Sequence, residues 1–269
     1  MIKDLVPNWL RVILCILSFA SFFPQLHRIW TRKDSAGISP YYVLFNLVSA
    51  TEQFTLGFFY LVNYFEDSDF FIHNPRTTGD WLNLAQLLVI WIMSLTLFVA
   101  CLHYSPVPDV PKGLRVRVLA IYVSFLLISV VPVFVDAISP VQGDGRRWLG
   151  AVFFYVHSTL INPIATMMGI SSLFVQMSRA SALSFIGLVS QVVVVALVAL
   201  SWTARVNFPV LDRLTLNVLI TWYTLVGWAA VDNAVFATVQ LVLLCMAKHR
   251  GRVFGDHSVR PEEEPLLAH

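Results

Sequence analysis

Ser21-Phe22-Phe23-Pro24-Gln25-Leu26-His27-Arg28-Ile29-Trp30-Thr31-Arg32-Lys33-Asp34-Ser35-Ala36-Gly37-Ile38-Ser39 decides how the chain is read. A proline and a glutamine stand inside one half of an otherwise apolar run. A basic cluster and a short Ser/Gly turn follow before the next apolar run begins at Pro40. Proline removes a helical N–H and pushes against the carbonyl four residues earlier. In hydrocarbon such a break persists only where protein or water re-satisfies the freed groups.

The surroundings of this stretch are apolar throughout. Of the 269 residues, 57% are hydrophobic and only 13% charged, about half the charge of a soluble domain. Seven runs approach the roughly 20 residues that cross a bilayer: Trp9–Trp30, Pro40–Phe65, Trp81–His103, Leu114–Ile138, Trp148–Met177, Ala182–Trp202 and Leu214–Ala247. An all-α membrane protein of seven transmembrane helices is therefore expected. The first run has no small-residue cleavage site behind it, so it reads as an uncleaved signal anchor. Trp9, Trp30, Trp81, Trp148 and Trp202 fall near the ends of runs, where indole favours the headgroup level. Trp91 and Trp228 lie deeper, and are expected to pack between helices or face a cavity. The acidic loop Glu66-Asp67-Ser68-Asp69 separates the second and third runs.

Basic residues give an orientation. With the first, third and fifth connections and the C-terminus in the cytosol, 11 Lys and Arg lie inside against 7 outside. The N-terminus is then lumenal and the C-terminus cytosolic. Cys15, Cys101 and Cys245 fall in or at the edge of runs, without metal or disulfide spacing, and the seven histidines are scattered. No cofactor or metal site is expected, no enzyme chemistry, and no nucleic-acid partner.

The Pro24-Gln25 pair, its basic turn and the Ser35-Ala36-Gly37-Ile38-Ser39 tail resemble the PQ-loop repeat of a family of membrane proteins. That family includes cystinosin-like and vacuolar amino-acid-exporter-like proteins and, more distantly, the SWEET sugar carriers. The resemblance implies two parallel three-helix bundles, spans 1–3 and 5–7, joined by the fourth span as a linker helix. Domains follow at 1–103, 104–147 and 148–247, with a disordered cytosolic tail at 248–269. Sliding the first motif by 145 positions lands on Thr166–Ser184, where Ser181-Ala182-Leu183-Ser184 echoes Ala36-Gly37-Ile38-Ser39. There Pro24-Gln25 has become Gly169-Ile170. Glycine still loosens a helix, so Gly169, or Pro163 six residues earlier, is the expected second hinge alongside Pro24 and Gln25.

Ionisable side chains at bilayer depth cost about 2.5–3.5 kcal/mol on insertion scales and are functional candidates. Glu52 lies roughly 18 Å along its helix from Pro40, near the midplane. It heads a polar stripe with Asn46, Ser49 and Gln53. Asp232 lies roughly 24 Å above Lys248, in the lumenal half. Both are expected as proton-coupling groups, the role that proton-coupled relatives give to an embedded acid. Asn233, Gln240, Asn46, Gln53 and Asn83 are the expected substrate-binding residues, Asn83 by loose likeness to SWEET carriers. Gln86 is its weaker companion. His157, Asn162 and Gln191 read as isolated polar residues, Asp136 as solvated, and Pro132 as a kink.

The tail ends with Glu262 ahead of Leu266-Leu267, an acidic dileucine pattern of the kind clathrin adaptors read. The expected function is alternating-access transport of a small solute, such as an amino acid, with protons, across a vacuolar or lysosomal membrane. The partners are then the solute, protons, the lipid bilayer and a clathrin adaptor. The other reading is a non-transporting receptor or trafficking factor on the same scaffold.

Overall fold

The computed structural model describes residues 5–62, 71–105, 112–138, 144–205 and 215–256, with side chains through residue 249. Every element among them is helical: α1 Asn8–Arg32, α2 Pro40–Val62, α3 Thr78–His103, α4 Lys112–Ile138, α5 Asp144–Val156, α6 Asn162–Gln176, α7 Phe185–Arg205, α8 Leu216–Trp222 and α9 Trp228–Asp256. A π-helical turn, His157–Ile161, fuses α5 to α6, and a second, Tyr223–Gly227, fuses α8 to α9. The seven expected helices are therefore present. Glu262, Leu266 and Leu267, and the acidic residues 66–69, lie outside the described residues. The last helix runs through Asp256, so the first residues assigned to the tail are helical.

Six of the seven helices are long and apolar enough to cross a membrane, and the second is not. Asn46, Glu52 and Gln53 dilute its hydropathy. It tolerates them because it faces protein: 16 of its 23 residues are buried. It packs on α3, α4, α6, α9 and the first π turn. A helix enclosed in this way needs partners for its polar groups rather than an apolar surface for lipid. The chain is a multi-pass membrane protein.

Packing pairs α1 with α3 and α2 with α3; likewise α6 pairs with α9 and α7 with α9. Across the middle, α1 meets α7 and α2 meets α6, while α4 lies against α2. Two apolar clusters fill the protein. One, at the end where α1 begins, joins Leu14, Leu56, Tyr60, Phe71, Val198, Trp202 and Trp228. The other, where α1 finishes, joins Leu26, Ile29, Ile38, Leu47, Phe98, Leu183 and Leu243. Trp202 is thus a core residue and not an interfacial one, stacked parallel on Phe71 with the Arg205 guanidinium over its ring. Trp9, Trp30, Trp81 and Trp148 are exposed as expected, whereas Trp228 is buried and Trp91 stacks on Phe54. Asp136 is paired with Arg146 at 3.1 Å and is not free in solvent. Pro132 is carried within α4, which continues to Ile138.

The turn after α1 is fixed by specific bonds. Lys33 closes the helix in the left-handed region (φ 51), and Asp34 Oδ1 accepts from the Ala36 N–H at 2.7 Å. Ser35 is tied to the end of α3 by its N–H to the Tyr104 carbonyl and its hydroxyl to the Cys101 carbonyl. Gly37 has φ 80, and a Cβ there would come within 2.6 Å of Ala182 Cβ. Gly37→Val is therefore expected to cost about 1–2 kcal/mol from the backbone alone, with the collision added. Detergent-solubilised protein should melt several degrees lower. An unchanged melting temperature would show that this turn yields freely.

Candidate functional site

Between the two apolar clusters lies a belt of buried polar side chains, and it has two parts. The first is a small cavity of about 30 Å³, room for roughly one water, lined by Ser18 and Ser21 of α1, Asn46, Ser49 and Gln53 of α2, Ser94 of α3, and Asn233 of α9. Asn46, Gln53 and Asn233, chosen from sequence as substrate contacts, meet here. Asn233 Nδ2 donates to Gln53 Oε1 at 3.0 Å, which ties α9 to α2.

Gln240 and Gln191 lie elsewhere, around a smaller void with Gln25 and Tyr42, where Gln240 Nε2 donates to the Tyr42 hydroxyl at 2.8 Å. Asn83 is separate from both. Arg205 donates to Asn83 Oδ1 at 3.0 Å and to Gln86 Oε1 at 2.7 Å, at the end where α1 begins.

The second part holds the acids. Glu52 is fully buried, and its Oε1 lies 2.8 Å from His157 Nδ1; its Oε2 has no partner. His157 is buried too and stacks on Phe153 at 4.0 Å between ring centroids. Asp232 Oδ1 accepts from the Thr166 hydroxyl at 2.5 Å, and its Oδ2 has no partner. Thr166 lies 2.6 Å from the Tyr223 hydroxyl, which accepts from Asn162 Nδ2 at 2.9 Å. With Asp232 ionised and taking the Thr166 proton, Tyr223 donates to Thr166 and the donors run from Asn162 through Tyr223 and Thr166 to the carboxylate; the Thr166 hydroxyl also lies 3.1 Å from the Asn162 carbonyl.

The residues that follow Glu52 and Asp232 in the chain, Gln53 and Asn233, are hydrogen-bonded to each other. Asp232 is therefore level with Glu52 in the bundle.

Both π turns belong to this site. The first begins at His157 and closes with the Asn162 N–H on the His157 carbonyl. Pro163 follows it and cannot donate to the Thr159 carbonyl, and the wider turn makes room for its ring. The second begins at Tyr223, and the Tyr60 hydroxyl bonds the Leu225 carbonyl inside it at 2.7 Å. The two turns touch. Of Gly169 and Pro163, the two residues expected to loosen this helix, the π turn adjoins Pro163. Gly169 sits in regular helix with α9 close by, where a Cβ would meet Val235 at an ordinary 3.6 Å. Pro24 stays within an unbroken α1, and the Ser190 hydroxyl of α7 bonds the Ser21 carbonyl one turn before it at 3.2 Å.

At the end where α1 finishes, the two halves exchange side chains. Gln25 Oε1 accepts from the Ser184 N–H at 2.6 Å, at the start of α7. Gln176 Oε1 accepts from the Ser39 N–H at 2.8 Å, at the start of α2, and its Nε2 donates to the Gly37 carbonyl at 3.0 Å. Ser39 and Ser184 correspond under the 145-residue offset, as do Gly37 and Ala182, which touch. Each half thus caps the other. Gln176 supplies the glutamine that Ile170 lacks.

This exchange is built on the first motif, and the comparison with known families falls on the same residues. The PQ loop repeat family matches residues 6–68. The chain carries a PQ-loop repeat. No curated protein and no solved structure matches it. The repeat covers α1, its turn and α2, so it supplies Gln25, Ser39, Glu52 and Gln53, while their partners come from the second half. Among the described residues no group of His, Cys, Asp and Glu is arranged to hold a metal.

Proposed function

We propose that this protein carries a small polar solute across a membrane by alternating access, with Glu52 and Asp232 as its proton-coupling acids. The observation that carries the reading is the polar cavity at Asn46, Gln53 and Asn233. It lies between apolar clusters at both ends and beside two embedded carboxyls. The packing pattern supports two three-helix units: span 3 sits with spans 1 and 2 as span 7 sits with spans 5 and 6, and α1–α7 mirrors α2–α6. The cavity as it stands has room for roughly one water, and a solute requires the units to part. The π turns and Pro24 are where the helices have the least backbone bonding to lose. Asn and Gln side chains offer both donors and acceptors, which suits a zwitterion such as an amino acid better than an apolar molecule.

A second reading is a receptor or trafficking factor on the same scaffold. The small cavity and the missing second Pro-Gln favour it. Purified protein in proteoliposomes, offered labelled amino acids and sugars with and without a pH gradient, separates the two. Flux above empty vesicles supports the carrier, whereas its absence across both panels, with the protein correctly folded, overturns it. The lumenal N-terminus, vacuolar or lysosomal site and adaptor recognition at Glu262, Leu266 and Leu267 belong to the same proposal. They rest on the charge bias and the dileucine spacing.

A further inference from the structure

The two buried carboxyls are level with each other, but their partners differ in kind. Asp232 is met by the Thr166 hydroxyl, and beyond it by the Tyr223 hydroxyl and the Asn162 amide, all neutral groups. Glu52 is met by an imidazole: its Oε1 lies 2.8 Å from His157 Nδ1, with the carboxyl side chain 0% and the ring 3% exposed. An N···O contact this short holds one proton between the two atoms. Either Glu52 is the acid and donates to a neutral ring, or Glu52 is ionised and Nδ1 donates to it. A carboxylate in an apolar interior is costly unless a cation or strong donors compensate it, and imidazole is the side chain that most readily becomes that cation near neutral pH. The ring is also aimed. Phe153, one turn earlier on α5, stacks on it, and His157 opens the π turn that the Asn162 N–H closes on its carbonyl. Other titratable groups stand around the pair. Asp232 belongs to α9 and Tyr223 to the second π turn, while Tyr60 of α2 is bonded to the Leu225 carbonyl. Tyr155 of α5 is exposed, and in the groove between α4 and α5 that His157 lines, Asp136 and Arg146 neutralise each other.

We propose that Glu52 and His157 form one proton-holding unit, in which the proton released by Glu52 Oε1 passes to His157 Nδ1. The transfer breaks one O–H bond and makes one N–H bond along the hydrogen bond already present, and the net charge of the pair is unchanged. Glu52 thus ionises first as half of an ion pair. Loss of the other ring proton, at Nε2, then leaves a carboxylate still bonded by the Nδ1–H. The two acids are unequal in consequence, since Asp232 has a hydroxyl where Glu52 has a base. The use of this unit in coupling rests on the carrier reading, whereas the sharing of the proton does not.

The test is infrared difference spectroscopy of the full chain in lipid, titrated from acid to alkaline pH with isotope-labelled histidine and without solute. An Asp232→Asn background removes the second embedded carboxyl. Within it, Glu52→Gln should abolish the protonated-carboxyl band of Glu52 and displace one ring signal, that of His157. With Glu52 present, this band and this ring signal should change in a single common step. His157→Asn keeps an amide that donates to Glu52 but cannot take its proton. In that variant the carboxyl band should survive to more alkaline pH, by about one to three units, the effect of removing an adjacent cation. Separate steps for the two signals, no ring signal displaced by Glu52→Gln, or a carboxyl band in His157→Asn that titrates as it does beside the imidazole would each overturn the assignment. The common step is read with His157 in place, so it stands whether or not His157→Asn folds. Because no solute is present, an unlinked pair and an absence of flux are separate results.

Discussion

Proteoliposomes carrying Asp232→Asn are expected to lose pH-driven accumulation while keeping solute exchange at equal pH. With one proton coupled per solute, one pH unit drives about tenfold accumulation, so the loss is roughly tenfold per unit of imposed gradient. The geometry makes asparagine a close control. Its Oδ1 still accepts from Thr166, at the position where the carboxylate is met at 2.5 Å, and its amide nitrogen takes the place of Oδ2, which has no partner. The donor chain from Asn162 through Tyr223 therefore survives. What disappears is the ability to bind and release a proton at Oδ2. Glu52→Gln is expected to act in the same direction, since its Oε2 is equally without a partner while Oε1 is engaged by His157. Should both amide variants accumulate solute like the parent, coupling does not run through either acid, although the carrier reading would survive on exchange alone.

Removing both glutamines of the reciprocal caps should open the end of the protein where α1 finishes. Gln25 and Gln176 each satisfy a backbone N–H at the first turn of a helix, groups that have no partner within their own helix. These donors are half-buried, so leaving one unmet costs at most about 1–3 kcal/mol, the penalty of a buried one. Two of them move a closed–open equilibrium by roughly one to four powers of ten, if the open state hydrates both. Gln25→Ala with Gln176→Ala should thus raise labelling of a cysteine placed at Leu183 by at least tenfold, in a background without Cys15, Cys101 and Cys245. Gln176→Ala alone should have the larger single effect, because Gln176 also holds the Gly37 and Arg179 carbonyls. Labelling that stays at the parent level in the double variant would mean the caps hold the turns without controlling access.

Much of this was legible in the chain. The seven apolar runs located the helices, and the 145-residue offset placed Gly37 against Ala182 in register, where the two residues meet. Glu52 and Asp232 stood out because an acid in an apolar run has few structural reasons to be there. Other features depend on pairings that no linear pattern records. His157 read as an isolated polar residue because its partner is 105 residues away. Tyr223 passes for core, since only its hydroxyl is committed to the site. The offset pointed to Ile170 for the second glutamine, but the requirement is reach to a backbone N–H, and Gln176 meets it from a different turn of the helix. Trp202 looked interfacial by position, whereas Phe71 and Arg205 enclose it. The π turns have one visible cause, Pro163; the second, at Tyr223, has none in the sequence.

The enclosure of α2 bears on how the protein is made. A nascent helix emerging at the translocon meets lipid before most of its eventual neighbours exist. α1, α3, α4, α7 and the helices either side of the two π turns are apolar enough to partition by themselves. α2 carries Glu52 with no His157 yet synthesised, and its polar face has only α1 to turn toward. It is expected to enter the bilayer incompletely when produced alone and fully once α5 and α6 follow, which a glycosylation-site readout on truncated chains would register. Insertion of the first half of the chain is in that sense finished by the second.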